Sequence, residues 1–431
     1  MADPVFAALA GALLEPEQPV SAELAGMLRW LGLPWPRQPG AEEQHRARML
    51  TAAAGFERVF QLEAPEAPGM AVFGAEVAPD ALAASPGHGV FGVSGTGTTL
   101  LAALESCIGE GIELLSGVET PLDLALQRAS PPPGGAADLP EAWQVPDAGW
   151  LPARRLTDGA TRWLPAGLCL RRPRGQTGGG APWPLSIGCA AGTSLPAAAL
   201  HGLLELVERD AAALWWRGGR RGRPLPLEHP ALAGAAALLR RLRRGKQGRQ
   251  SWLLDITTDL AIPVVAAISV GSDGAGFCCG LAARPGLLAA AEGAVLELCQ
   301  MELALGVVAA KRAEAGEAAL NPRDHAHEQR FHHIRASECA LLHPMGEPLA
   351  RPEPAPAPPE QALARLVAGL GRQGANPLLL PLTRNIFGVP VCRVLCPELE
   401  LEPTQAMGPR LRRTVAETGG GDCHTRGIAL M

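Results

Sequence analysis

Ser186-Ile-Gly-Cys-Ala-Ala-Gly192 leads into an apolar helix, Ser194–Leu214, that carries His201-Gly-Leu-Leu-Glu205-Leu-Val-Glu208-Arg209-Asp210. A helix advances about 100° per residue, so Leu200, Leu203, Leu204, Val207 and Leu214 form one stripe, with His201, Glu205 and Glu208 opposite. The layout recurs twice. Gly92-Val-Ser-Gly-Thr-Gly97 precedes Thr98–Leu115, where Ser106, Glu110 and Glu113 group away from Leu104, Ile108, Ile112 and Leu115. Gly274-Ala-Gly-Phe-Cys-Cys-Gly280 precedes Leu287–Val308, where Glu297 and Gln300 share one side. Glu110 to Glu205 is 95 residues and Glu205 to Glu297 is 92, a nearly constant period.

Each of the first two helices, taken alone, is an amphipathic helix with a solvated acidic face. Like charges three residues apart cost an exposed helix only about 0.2–0.5 kcal/mol. The third differs, because Leu287, Leu288, Val295, Leu296, Leu298, Met301, Leu303 and Leu305 point all round its axis and it reads as buried. A buried carboxylate costs several kcal/mol unless it is paired or fully hydrogen-bonded. Two readings of Glu297 therefore stand: a buried salt bridge to Arg209, or one member of a carboxylate centre for magnesium, a hard cation that takes oxygen ligands. Such sites serve phosphates, for which the Gly-rich turns and positive helix ends offer backbone N–H groups.

The remaining sequence excludes much. The 431 residues are 47% hydrophobic and 19% charged, a globular composition rather than a disordered one. A balance of 38 basic against 43 acidic residues, net -5, gives no reason to expect a nucleic-acid partner. Lys246 and Lys311 are the only lysines and tyrosine is absent, which rules out tyrosine chemistry. Ten cysteines without a CxxC pair argue against a disulfide framework or a zinc site. Met1-Ala2-Asp3 opens the chain without a basic signal region, and Leu185–Leu204 is too polar to span a membrane. A reduced, cytoplasmic protein with no membrane partner is expected.

Helical periodicity marks Val5–Leu14, Ala22–Leu31 and Arg46–Phe60. Val72–Phe73, Val90–Val93, Trp252–Leu254, Pro263–Val270 and Pro390–Leu395 read as strands, and Pro352–Pro359 as punctuation. Helices and strands mix without strict alternation, which favours an α+β fold over a Rossmann layout. The arginines between Arg217 and Arg249 read as a solvated loop and helix face or as a basic patch for phosphates. Asp324-His325-Ala-His327-Glu328, with His332 and His333, reads as a polar helix or loop rather than a metal site. Cys392 and Cys396 flank a strand as core residues, and no G-x-x-x-x-G-K-[ST] phosphate loop occurs.

These motifs together resemble the YcaO family, whose members carry an S-x-G-x-A-A-G turn followed by H-G-x-x-E-x-x-E-R-D. Ser106-Cys-Ile-Gly-Glu110-Gly-Ile-Glu113 is similar to the family's S-x-x-x-E-x-x-E-R helix. Asp255-Ile-Thr-Thr-Asp259-Leu-Ala-Ile-Pro263-Val-Val, Glu297-Leu-Cys-Gln300 and Gly388-Val-Pro390-Val match later blocks, so the resemblance runs from about residue 88 to at least 400. It implies a mixed fold of pseudo-repeated sheet and helix units around a nucleotide site. A catalytic domain at 88–431 would follow a mostly helical extension, 1–87, suited to partner docking.

The resemblance further implies an enzyme that uses ATP and Mg2+ to activate backbone amides of a ribosomal precursor peptide, as in bacteriocin maturation. A Cys, Ser or Thr side chain attacks the preceding carbonyl, ATP phosphorylates the oxyanion, and loss of phosphate leaves a thiazoline or oxazoline. Glu110, Glu113, Glu205, Glu208 and Glu297 would serve metal and nucleotide. Glu208, Arg209 and Gln300 would be catalytic, Arg209 and Gln300 touching nucleotide or phosphate, with Ser106 and Ser186 supporting. A separate E1-like, leader-peptide-binding protein would present the peptide, and a homodimer stays open. Peptide thioamide formation with a sulfur donor and a catalytically impaired scaffold subunit are the alternatives.

Three departures bear on activity. Ser94-Gly-Thr96-Gly97 stands where the family has S-G-K-G or G-R-G, Glu113-Leu114 replaces E-R, and Gly427-Ile-Ala-Leu-Met431 stands where azoline-forming members often have a proline-rich tail. Without replacement, two lost cations weaken phosphate binding by about 2–5 kcal/mol. Arg217–Arg223 and Arg393 are the candidates to compensate.

Overall fold

The computed structural model describes residues 4–15, 17–33, 39–145, 149–173, 181–348 and 353–430. Met1-Ala2-Asp3, Met431 and Pro352 of the proline run lie outside the described residues. Three N-terminal helices, α1 (Pro4–Leu14), α2 (Ala22–Leu31) and α3 (Ala41–Ala53), precede β1 (Arg58–Leu62), β2 (Ala71–Val77) and β3 (Phe91–Gly97). Then come α4 (Leu100–Ser116), α5 (Pro121–Leu126), β4 (Trp150–Arg155), β5 (Thr161–Pro165), β6 (Cys189–Ala191) and α6 (Leu195–Trp216). The third part holds β7 (Arg223–Leu225), α7 (Ala233–Arg243), β8 (Arg249–Asp255), β9 (Val264–Gly271), β10 (Cys278–Ala283), α8 (Leu287–Ala315) and α9 (Pro322–His333). Last are α10 (Pro359–Arg372), β11 (Leu378–Pro381), β12 (Val391–Leu395), α11 (Pro409–Thr418) and α12 (Asp422–Thr425).

The strands form three antiparallel sheets, in the orders β1-β2-β3, β10-β9-β8-β7 and β5-β4-β11-β12-β6. Each sheet carries one of the acidic helices: α4 lies on β2 and β3, α8 on β9 and β10, and α6 on β6 and β12. The fold is α+β, as the mixed pattern predicts, and the strands read at Trp252–Leu254 and Pro263–Val270 fall in β8 and β9, which pair with Trp252 opposite Ile268.

Two sequence expectations change. The boundary at residue 88 cuts a sheet, because β2 pairs with β3 from Ala71–Gly97 to Val77–Phe91. The helix expected at Arg46–Phe60 ends at Ala53, and Arg58–Leu62 pairs with β2 instead. Residues 1–87 are thus mostly helical only as far as α3, and Leu9, Leu13, Leu28, Leu31 and Leu50 join the same core as α4 and α6.

Burial also differs between the helices. α6 was expected to be amphipathic, but it is the central helix, buried from Ala197 to Trp216 on nearly every side. α8 was expected to be buried all round. It is buried along one face only, from Leu287 through Ala290, Ala291, Ala294, Val295, Leu298 and Cys299 to Glu302, while Leu288 and Leu296 are half-buried and Ala289 and Gly306 are exposed. α8 is long and apolar enough to cross a bilayer, yet it packs across β9 and β10 as a core helix.

Candidate functional site

The acidic residues of the three helices hold the sheets by one repeated device. Glu110 on α4 accepts a hydrogen bond from the Ser94 N–H of β3 at 2.9 Å. Glu205 on α6 accepts from Gly188 N–H at 2.9 Å, and Glu297 on α8 from Leu281 N–H of β10 at 3.1 Å. In each unit the first carboxylate turns back to the chain segment leading into its own helix.

The residue three positions on reaches forward. Glu113 accepts from Ala191 N–H of β6 at 2.6 Å, and Glu208 from Ala283 N–H of β10 at 3.2 Å. Gln300 closes the circuit onto β3, donating to Ser94 Oγ at 3.2 Å and accepting from Thr96 Oγ at 3.4 Å. The side chains thus run α4 to β6, α6 to β10 and α8 to β3, a ring of pseudo-threefold connectivity. The third unit needs an amide because its partners are hydroxyls, one accepting and one donating, and a carboxylate can only accept.

This geometry corrects the reading of the Gly-rich segments. Gly92–Gly97 is strand β3, and Gly188 sits at a positive φ of 72° just before β6. Glycine at 95 lets α4 lie against the strand, since a Cβ there would come within 2.0 Å of Cys107 N. The strand N–H groups expected to cradle phosphates are taken by carboxylates. The helix starts are capped as well, by Thr99 on Ala102 N–H, Ser194 on Ala197 N–H and Glu353 on Leu288 N–H.

Arg209 sits among the acids, 3.3 Å from Glu205 and 3.6 Å from Glu208. Burial opposes its charge, but Glu208, Glu205 and Glu297 outweigh that and raise its pKa. Burial pushes the Glu113 carboxyl up to about 8, against the Ala191 N–H and with help from Glu110 and Glu205. Glu208 and Glu297 rise for the same first reason, with Arg209 pulling both down. Glu110, at the open mouth of the ring, is also raised by desolvation, which outweighs the Ser94 N–H and the charge of Arg323. Arg209, Arg284 and Arg323 all act on these carboxylates, yet burial still raises Glu110, Glu208 and Glu297 as it does Glu113, so the Glu297–Arg209 interaction does not by itself account for the site.

The donor set fits magnesium. The second oxygens of Glu110, Glu113 and Glu297 have no hydrogen-bond partner among the described residues, and the first are fixed by strand N–H groups. No three acidic, histidine or cysteine side chains among the described residues close into a metal cage. Magnesium normally takes one or two carboxylates and completes its octahedron with phosphate and water. The ring suits that mode.

Other expectations fare differently. Ser106 and Ser186 are exposed and make no side-chain hydrogen bond to the ring. Asp210 faces away, accepting from Glu400 N–H at 3.0 Å and Arg410 at 2.8 Å. Arg393 is fully buried and donates to the carbonyls of Cys169, Ile187 and Leu185, so it braces the turn before β6. Arg217, Arg220 and Arg221 are held by the carbonyls of Ala406, Thr257 and His343. Arg243 and Arg249 converge on buried Glu302, at 2.8 and 3.1 Å. The arginine cluster is therefore neither wholly solvated nor a phosphate patch, and neither it nor Arg393 supplies the cations absent at Thr96 and Leu114.

Sequence reasoning offered α9 as a polar helix or loop and missed its place beside the ring. Arg323, His327 and Arg330 line a cavity with Arg209, Leu281 and Glu297. Their spacing of four and then three residues was a signal, hidden among the histidines of a segment read as merely polar. A wider cleft, about 910 Å³, lies elsewhere, beside Asp259, Glu400 and Arg410. Its Arg410 is already paired with Asp210 and Asp259, and Glu400 caps α11, so it offers a phosphate less than the ring does.

Residues 94–400 match the family described as YcaO cyclodehydratase, ATP- and Mg2+-binding. The chain belongs to the YcaO family. ATP and Mg2+ are accordingly its cofactors. No curated protein matches it in sequence. Among solved structures, a heterocyclase in complex with substrate and cofactor superimposes at a TM-score of 0.64 with 22% identity, over 86% of this chain and 55% of that one. This YcaO chain thus spans little more than half of that heterocyclase. YcaO from Methanopyrus kandleri, bound with AMPPCP and Mg2+, gives a TM-score of 0.61 at 21% identity, over 87% of this chain and 91% of that one. The E. coli microcin synthetase McbBCD complex gives 0.56 at 13% identity, over 79% and 88%. At these identities the likeness establishes the YcaO fold.

Proposed function

We propose that this YcaO protein is a cyclodehydratase that uses MgATP to convert backbone amides of a ribosomal precursor peptide into thiazoline or oxazoline rings. The observation that carries the reading is the ring: four carboxylates oriented by strand N–H groups and a fifth, Glu205, by the N–H of Gly188, with second oxygens of Glu110, Glu113 and Glu297 left free. Such a centre is built for a divalent cation and a polyphosphate.

In the reaction, a Cys, Ser or Thr side chain loses its proton and bonds to the preceding carbonyl carbon. The resulting oxyanion takes the terminal phosphoryl group of ATP and ADP departs. The amide nitrogen then loses its proton, and phosphate leaves with the former carbonyl oxygen, so the peptide loses one water per ring. Glu110, Glu113, Glu205, Glu208 and Glu297 would hold magnesium, which when bound neutralises charge developing in the transfer. Arg209 is held beside Glu205 and Glu208, positioned to meet a phosphate oxygen. Gln300 keeps β3 in place against α8.

The peptide would be presented by a separate E1-like protein, in the cytoplasm; ten unpaired cysteines support a reducing compartment. Purified protein, partner, peptide and ATP should release phosphate and reduce the peptide mass by one water per ring. Phosphate release with sulfur gained instead would move the assignment to thioamide formation. A scaffold subunit is the second reading, favoured by Thr96 and Leu114 in place of cations. Absence of MgATP binding at about millimolar nucleotide would establish it.

A further inference from the structure

α9 is fastened beside the ring. Lys311 of α8 holds Asp324 at 3.1 Å, Arg312 pairs with Glu328, and Asn321 caps the helix through the N–H groups of Arg323 and Asp324. Positions 323, 327 and 330 fall on one helical face, and all three line the cavity that Arg209 and Glu297 border from the ring side.

The three side chains are not equivalent. Arg330 is buried and committed, donating to Ala429 O at 3.3 Å and to His327 Nδ1 at 2.8 Å. A guanidinium only donates, so His327 Nδ1 accepts and the ring is a neutral imidazole with its proton on Nε2. Burial and the charges of Arg330 and Arg323 agree, lowering the His327 pKa to about 4. Arg323, one turn earlier, is exposed, and its guanidinium has no hydrogen-bond or ion-pair partner among the described residues. Its charge reaches Glu110 at the mouth of the ring. Across that mouth the first unit presents no cation: Thr96 is bonded to Gln300, and Leu114 packs against the core.

We propose that Arg323 on α9 binds the terminal phosphate of the nucleotide, taking the place of a cation on β3 or α4, with Arg330 as the residue that positions His327 beside it. The proposal rests on the ring being the nucleotide site. Arg323 is a residue for binding, so its effect should fall on the nucleotide that carries the third phosphate.

Calorimetric titration of the full chain and its Arg323→Ala and Arg323→Lys variants with MgATP and MgADP tests this. Arg323→Ala should weaken MgATP binding about 10- to 100-fold and MgADP binding less than about 3-fold, with Arg323→Lys recovering most of the loss. Unchanged MgATP affinity in Arg323→Ala, beside normal binding by the unaltered chain, overturns the proposal and leaves the nucleotide site standing. Equal losses for both nucleotides also overturn it, because the contact is then not with the terminal phosphate. Failure of the unaltered chain to bind MgATP removes both readings.

Discussion

Replacing Glu208 by Gln separates function from folding at the centre of the ring. The carboxylate is 7% exposed and accepts the Ala283 N–H at 3.2 Å, a bond that a glutamine carbonyl can keep. The substitution removes repulsion from Glu297 and Glu205 and loses an attraction to Arg209 at 3.6 Å. These changes oppose each other, so nucleotide-free stability should shift by no more than about 1 kcal/mol, in either direction. Nucleotide binding should suffer far more. At 100 times its Kd, MgATP stabilises a protein by about 2.7 kcal/mol. An unfolding entropy of about 2.1 cal/mol/K per residue gives a chain of this length about 0.9 kcal/mol/K, so the unaltered protein should gain about 3 °C in Tm. Thermal denaturation with and without MgATP reads both quantities. Glu208→Gln should keep its nucleotide-free Tm and lose the 3 °C gain together with phosphate release. A variant that still gains the full shift and turns over ATP refutes the role given to Glu208.

In the metal-free protein Glu113 keeps its proton to about pH 8. Between about pH 4.5 and 8 the folded state therefore binds more protons than the unfolded state, so stability falls as pH rises across that window and levels off above it. Denaturant titrations at about pH 6 and 8 should show that loss, and saturating Mg2+ should shrink it; stability rising with pH would contradict the burial of that carboxyl. Gly95→Ala places a methyl group 2.0 Å from Cys107 N and 2.4 Å from Ala103 O, both backbone atoms of α4. It should destabilise the fold by roughly 3 kcal/mol or more, seen as a lower denaturation midpoint. Arg393→Met leaves the carbonyls of Cys169, Ile187 and Leu185 without their donor, about 1–3 kcal/mol each, and should lower Tm even without nucleotide. An effect on ATP affinity alone would place Arg393 in the site instead of behind it.

The acidic helices were legible because amphipathic spacing puts Glu110 with Glu113 and Glu205 with Glu208 whatever the tertiary structure. The strands β8 and β9 were legible because the apolar runs Trp252–Leu254 and Pro263–Val270, the second rich in Val and Ile, are a local signal. What escaped was set by long-range contact. Val90–Val93 read as a strand, but nothing nearby announces that its pairing with β2 continues to Gly97, so the rest of β3 looked like a turn. Arg393 looked like an available cation because its three carbonyl partners are about 200 residues away in sequence. α9 looked merely polar because its meaning comes from Lys311–Asp324, which seats it beside the ring. The forward reach of Glu113, Glu208 and Gln300 into the next unit was likewise unreadable, although the period of the repeats hinted that the units were related.

Diffraction from crystals grown with Mn2+ and a non-hydrolysable ATP analogue tests the central claim most directly. The account predicts anomalous density inside the ring, at about 2.1–2.2 Å from one or two oxygens of Glu110, Glu113, Glu205, Glu208 or Glu297. The triphosphate should run between Arg209 and α9. Nucleotide seated instead in the large cleft beside Asp259 and Arg410, with the ring empty of metal, would contradict it.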